Sequence, residues 1–226
     1  MLELYIANKN YSSWSMRPWL VLKAFEIPFQ EHVIYFDRER SIGTFKQKLS
    51  AISDNAKVPI LVDQDLKIWD SLAICEYLAE QYPEYALWPK DQAQRARARS
   101  ISAEMHSGFA QLRTLCGMNI RAQLAEVGQR LWAEDNELRQ DVARIEQIWA
   151  ERPDPEGFLC GAFSIADAFY APVVMRFKTY ALPVSASSQR YMQKMLQHAA
   201  VQAWVEAAMV EGRWVNYLEA YQTEAE

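Results

Sequence analysis

The sequence predicts an α/β amino-terminal domain followed by an all-α domain. Three observations carry that prediction. Strand-like apolar runs stop by residue 82, they alternate with helical stretches in the order β-α-β-α-β-β-α, and helical periodicity alone follows. The proline-bounded stretch PEYALWP, residues 83–89, marks the change, so the expected units are 1–82, a linker at 83–90, and 91–226.

Each element has its own signal. LELYI, residues 2–6, reads as a short strand. Trp19, Leu20, Leu22, Lys23 and Phe25 give a mostly apolar helical face that Ile27-Pro28 ends, and EHVIYF, residues 31–36, reads as a second strand. The polar stretch 37–50 predicts a loop and a short exposed helix. Residues 58–71, VPILVDQDLKIWDS, hold two apolar runs joined by Asp63-Gln64-Asp65, a hairpin pattern. Asp70-Ser71 then leads into a helix over 72–82, with Ile74, Leu78 and Tyr82 on one stripe. Beyond the linker, helices are expected over about 92–117 and about 123–151, the second broken near Trp132–Asp135. RPDPEG, residues 152–157, is a loop, and shorter helices follow at about 165–179, 189–197, 199–210 and 214–222.

Composition narrows the function. With 226 residues, half of them apolar, the chain can bury a large core. The net charge is -5 and no cluster of five Lys or Arg occurs, which argues against a nucleic-acid partner; QRARARS, residues 94–100, reads as the wet side of a helix. Cys75, Cys116 and Cys160 lack CxxC or zinc spacing and read as reduced structural thiols. His32, His106 and His198 lack ligand spacing, so no metal is expected. Neither a leader nor an 18-residue apolar stretch is evident, which predicts a cytoplasmic protein without a membrane partner. Trp69, Trp88, Trp149 and Trp204 fall in apolar patterns, where burial explains them.

Four motifs could carry more than structure. Pro59 in NAKVP either begins a strand in trans or makes a cis turn that aims the Val58 backbone outward, where an extended peptide would pair with it. Asp70-Ser71 caps a helix, or receives an amino-acid head group at that helix's positive end. Ser164-Ile165-Ala166-Asp167 has capping-box spacing and a structural role. In NYSSWSMRPW, residues 10–19, Pro18 belongs in the first helical turn, which favours Ser15 as the cap. Ser12 and Ser13 then lie outside the helix, either as plain loop residues or as donors to a thiolate at its positive end.

Together, LYIANKNYSSWSMRPWL, KVPIL, DSLAICEYLAEQYP and FLCGAFSIADAFYAPVV resemble the cytosolic glutathione transferase family over nearly the whole chain. SSWSMR is most similar to the SSCSxR signature of the zeta class, which includes maleylacetoacetate isomerases. The resemblance implies a thioredoxin-like first domain, an all-helical second domain, a homodimer, glutathione as co-substrate, and a small electrophile bound between the domains. By position it makes Ser12 the activator of the glutathione thiol, with Ser13 as helper. Lys57 and Val58, before a cis Pro59, would hold the cysteinyl part, while Asp70 and Ser71 receive the γ-glutamyl group. Trp14 departs from the signature cysteine, and Asp70 stands where glutamate is usual. The electrophile side is expected to involve Tyr11, Trp14, Met105, Phe109 and Arg176, with Arg17 a further cation for carboxylates. A transferase, a maleylacetoacetate isomerase-like enzyme and a non-catalytic scaffold are the functions this likeness admits.

Overall fold

In the computed structural model, which describes residues 1–40, 42–219 and 221, the first part of the chain builds a four-stranded sheet ordered β2-β1-β3-β4. Its elements are β1 (Leu2–Ile6), α1 (Ser13–Ala24), β2 (Phe29–Val33), α2 (Thr44–Ser50), β3 (Ile60–Asp63), β4 (Leu66–Trp69) and α3 (Ser71–Gln81). Alternation along β1 turns Leu2, Leu4 and Ile6 inward, where they join Leu20 and Val21 of α1 and Ile74 and Leu78 of α3 in one core. β1 pairs with β2 in parallel and with β3 antiparallel, Leu4 standing opposite Glu31 and Leu61. β2 ends earlier than the expected 31–36 because its partner ends at Ile6. Ile34 N still donates to Ile6 O (2.9 Å), but Phe36 N turns to the Asn8 side chain (2.8 Å).

The remainder is helical: α4 (Gln92–Ser107), α5 (Ala110–Leu115), α6 (Ala125–Glu134), α7 (Asn136–Ala150), α8 (Ile165–Thr179), α9 (Ala186–Gln197) and α10 (Ala199–Val210). The helix expected over 92–117 is two helices, broken where Phe109 adopts a φ of +56°. Asp135 separates α6 from α7 and caps the latter by accepting from Leu138 N (2.7 Å). In place of a helix over 214–222 there is one 3-10 turn, Asn216–Leu218; Gln222 lies outside the described residues.

The almost wholly buried α8 packs on α1, α4 and α9. At its start the Asp167 carboxylate accepts from Ser164 N (3.0 Å), Leu159 N (2.9 Å) and Tyr191 Oη (3.1 Å). Burial pushes its pKa up to about 6 against those bonds. Trp88, Trp149 and Trp204 are buried, but Trp69 is 53% exposed because β4 is a sheet edge. The 94–100 arginines are not simply solvated: Arg97 donates to Ile148 O (2.8 Å) and Leu159 O (3.2 Å), tying α4 to α7 and the loop before α8. All three cysteines are buried free thiols.

Candidate functional site

The site begins where β1 runs into α1. Ser12, rather than Ser15, is the cap: its Oγ accepts from Ser15 N (3.4 Å) and its carbonyl from Met16 N (3.2 Å), so Ser13 is the first helical residue. Pro18 therefore sits in the helix interior, not in its first turn. A proline there loses its donor bond and crowds the carbonyl four residues back, and packing of α1 on α3, α8 and α10 holds the helix through it. Ser15, freed from capping, turns its Oγ to accept from Ala7 N (3.2 Å) and to share a 2.8 Å bond with the Ser12 hydroxyl. This buried serine pair ties the end of β1 to the first turn of α1.

Ser12 and Ser13 lie in the wall of a cleft of about 470 Å³, together with Tyr11, Trp14, Phe36, Val58 and Arg176. A second cleft of about 650 Å³ adjoins it, formed by Trp14, Asn55, Lys57, Val58, Pro59, Trp69, Asp70 and Ser71. Trp14, Lys57 and Val58 belong to both. The Val58–Pro59 peptide is cis. Both volumes are of the size that small-molecule sites occupy.

Charge around these clefts is arranged around Trp14. The Arg17 guanidinium lies 4.2 Å from the Trp14 ring centre and 4.6 Å from that of Phe169, and Arg113 lies 5.3 Å from Trp14. Arg17 Nη1 donates to Ser71 Oγ (3.4 Å). Burial, with Arg113 and Arg176 nearby, brings the Arg17 pKa down to about 9, still leaving it cationic at neutral pH. Arg176, brought down to about 10 chiefly by burial, donates to the Cys116 carbonyl and to Ser13 Oγ (3.3 Å).

Asp70 is occupied on both oxygens. Oδ1 accepts from Leu72 N (2.8 Å) and Ala73 N (3.3 Å), capping α3, while Oδ2 lies 3.1 Å from His106 Nε2 of α4. His106 also meets the Trp14 ring edge-on. Tyr11 donates its hydroxyl to Glu219 and accepts from Arg121 Nη2 (2.9 Å). Burial and the Glu219 carboxylate push that phenol up to about 12, so Tyr11 contributes a wall rather than an acid. The Cys75 thiol is pushed up by burial and is not poised to react. Among the described residues, no group of three His, Cys, Asp or Glu is placed to hold a metal, and no helix is long and apolar enough to cross a membrane.

Residues 11–81 match the family model of the glutathione S-transferase N-terminal domain, and residues 92–207 match that of its C-terminal domain. The chain belongs to the glutathione transferase family. It is similar to a maleylacetoacetate isomerase of Rattus norvegicus, at 30% identity over 80% of this chain and 81% of that one. It also resembles a probable maleylacetoacetate isomerase of Caenorhabditis elegans, at 37% identity over half of each chain. A Burkholderia glutathione transferase homolog solved with bound glutathione shares the fold, with a TM-score of 0.69 and 24% identity over 92% of this chain and 97% of that one.

Within this family frame, Tyr11, Ser12, Ser13, Trp14, Lys57, Val58, Pro59, Asp70, Ser71 and Arg176 all line one or both clefts. Met105 and Phe109 do not. They are 2% and 7% exposed and join the apolar core, as their side-chain chemistry favours once the chain breaks at Phe109. Arg17 lies beneath Trp14 rather than in the cleft lining. The structure adds residues that motif reading missed: His106, Arg113, Phe36, Phe45, Leu218 and Glu219. Of these, only the aromatic pair and the arginine stand out chemically in the sequence. His106 acquires meaning through Asp70 and Trp14, both distant from it in sequence.

Proposed function

We propose that this chain is a glutathione transferase in which Lys57, Val58, Pro59, Asp70 and Ser71 hold glutathione and Ser12 stabilises its thiolate for attack on a small electrophile in the adjoining cleft. The observation that carries this reading is the junction itself: the wall bearing Ser12 and Ser13 shares Trp14, Lys57 and Val58 with the cleft around the cis proline. A ligand extended along the second cleft would deliver its central residue to the serines.

The serine pair supplies the proton logic. Ser12 Oγ accepts Ser15 N–H, and Ser15 Oγ accepts Ala7 N–H. Ser12 Oγ donates to Ser15 Oγ (2.8 Å); a thiolate in the cleft, a stronger acceptor than a hydroxyl, would take over that hydrogen bond, and Ser15 Oγ can then donate to Ser12 in return. The amino end of α1 adds a positive field, which also favours thiolate over thiol. Ser13, whose Oγ accepts from Arg176, keeps its proton as well and serves as the helper. The thiolate sulfur then forms the new bond to the electrophilic carbon as that carbon's bond to its leaving group breaks, halide departing with the electron pair in the case of an aryl halide, and Ser12 acts as a donor, not as nucleophile or base.

A second reading within this frame is a zeta-like, glutathione-dependent isomerase of a maleyl-type acid. It is supported by the SSWSMR run, by two relatives named maleylacetoacetate isomerase, and by Lys46, Lys57, Arg113 and Arg176 in the first cleft. We place the protein in the cytoplasm as a homodimer of two-domain subunits, divided as 1–82 and 91–226. The exposed Trp69 and Leu66 on edge strand β4 support self-association.

The test combines binding with turnover. Millimolar glutathione should raise the melting temperature, and an aryl halide and a maleylacetoacetate analogue should then be compared as substrates. Aryl halide turnover supports the transferase, and analogue turnover alone the isomerase. Failure to bind glutathione contradicts both and leaves a scaffold.

A further inference from the structure

After α10 the chain crosses back to the sheet-bearing part and closes one side of the first cleft. The Glu211 carboxylate accepts from Lys9 N (3.0 Å) and Asn10 N (3.3 Å), just before Tyr11. Arg121 holds the same stretch by donating to the carbonyls of Glu211 and Arg213, with its guanidinium 4.4 Å from the Trp214 ring centre. Further on, Asn216 N donates to Arg38 O (3.1 Å), and Arg40 lies 4.9 Å from the Tyr217 ring centre, which fastens the segment to the loop before α2. Glu219 then ends the crossing inside the protein at 8% exposure, accepting from Tyr11 Oη and from Asn119 Nδ2 (2.6 Å). Between these anchors Leu218 faces the cleft beside Phe36, Phe45 and Met118.

We propose that residues 211–219 form the outer wall of the electrophile cleft, with Leu218 determining specificity and Glu219 positioning it. A buried carboxylate persists only when its oxygens are bonded, and Glu219's two main partners tie it to the cleft: Tyr11 lines it next to Ser12, and Asn119, itself outside the lining, is joined to the lining residue Met118. Glu219 thereby locks two walls and the segment carrying Leu218 as one unit. Leu218, Phe36 and Phe45 give the cleft that holds the polar serines an apolar share of its lining, with the two phenylalanine rings in contact, which fits an electrophile with a bulky apolar body. Leu218 does not line the cleft assigned to glutathione, so its truncation should act on one substrate only.

This inference rests on the transferase reading and is tested with the full chain, varying glutathione and an aryl halide separately. Leu218→Ala should raise the KM for the aryl halide at least fivefold while the KM for glutathione stays within twofold. Leu218→Phe, which retains apolar contact, should keep the aryl halide KM near the wild-type value. Glu219→Ala should reproduce the Leu218→Ala split, and Glu219→Gln, which still offers an oxygen to Tyr11, should restore most of it. An unchanged aryl halide KM in Leu218→Ala, or a parallel rise in both KM values, overturns the proposal. Either result in Leu218→Ala, with a wild-type chain that binds glutathione, refutes only the wall, whereas a wild-type chain that binds no glutathione refutes the transferase reading and the wall together.

Discussion

One proton per hydroxyl decides which serine can serve a thiol, and the Ser12–Ser15 bond makes Ser12's availability depend on Ser15. Trp14, two residues on, is wedged among Arg17, Arg113 and His106, so its ring is fixed where the two clefts meet. His106 offers a separate test at this scale. Burial holds its pKa below the usual 6.5, with Arg17 and Arg113 acting the same way and Asp70 opposing. Because the folded value is the lower one, the unfolded chain takes up the proton first as pH falls. Stability present above about 6.5 is thus lost as pH drops through that value toward the folded one. Urea unfolding of wild type and His106→Gln at about pH 7.5 and about pH 5.5 should show a smaller pH-dependent loss in the variant. Equal losses would contradict a half-buried imidazole whose pKa folding lowers.

At the scale of elements, the contact between α6 and the end of α8 is the tightest tested by a single methyl group. A Cβ on Gly128 would lie 1.8 Å from Tyr180 O, and Leu124 N donates to Thr179 O (2.8 Å) at the same seam. Helix propensity favours alanine over glycine by about 1 kcal/mol, yet Gly128→Ala should lower unfolding free energy by about 1–3 kcal/mol, because backbone must move. A stabilised variant would mean the seam is looser than described. Elements with strong periodicity and clear ends were legible in the sequence: α8 and α10 occupy the expected 165–179 and 199–210, and Asp135 falls in the predicted break. The break between α4 and α5 has a signal in Gly108, the C-cap of α4, but the positive φ of Phe109 has none, since nothing in a phenylalanine announces it. The sequence places the start of α1 three residues late, because Pro18 taken alone argues for the first helical turn, while the tertiary contacts that sustain the helix through it lie far along the chain. The cleft lining within the motifs was legible; Leu218, which lines the first cleft, and Glu219 and His106, which bond to lining residues, were not, as each is defined by a partner distant in sequence.

Across the whole molecule, α1 begins at the cleft wall and packs on α8 and α10, so the helical part holds Ser12 and Ser13 in place. Trp204 Nε1 donates to Lys9 O (3.0 Å), and Trp19 meets Trp204 edge-on, which extends this support to the loop before Ser12. Light scattering should give twice the chain mass, and Trp69→Glu on the exposed sheet edge should shift the protein toward monomer; a wild-type monomer would contradict the proposed assembly. The central claim, that Ser12 lowers the pKa of bound glutathione, is tested most directly by ultraviolet thiolate absorbance of the glutathione complex against pH. Ser12→Ala should move the ionisation toward that of a free thiol, about 8.5, with a smaller shift for Ser13→Ala. An ionisation unchanged in Ser12→Ala would contradict the account.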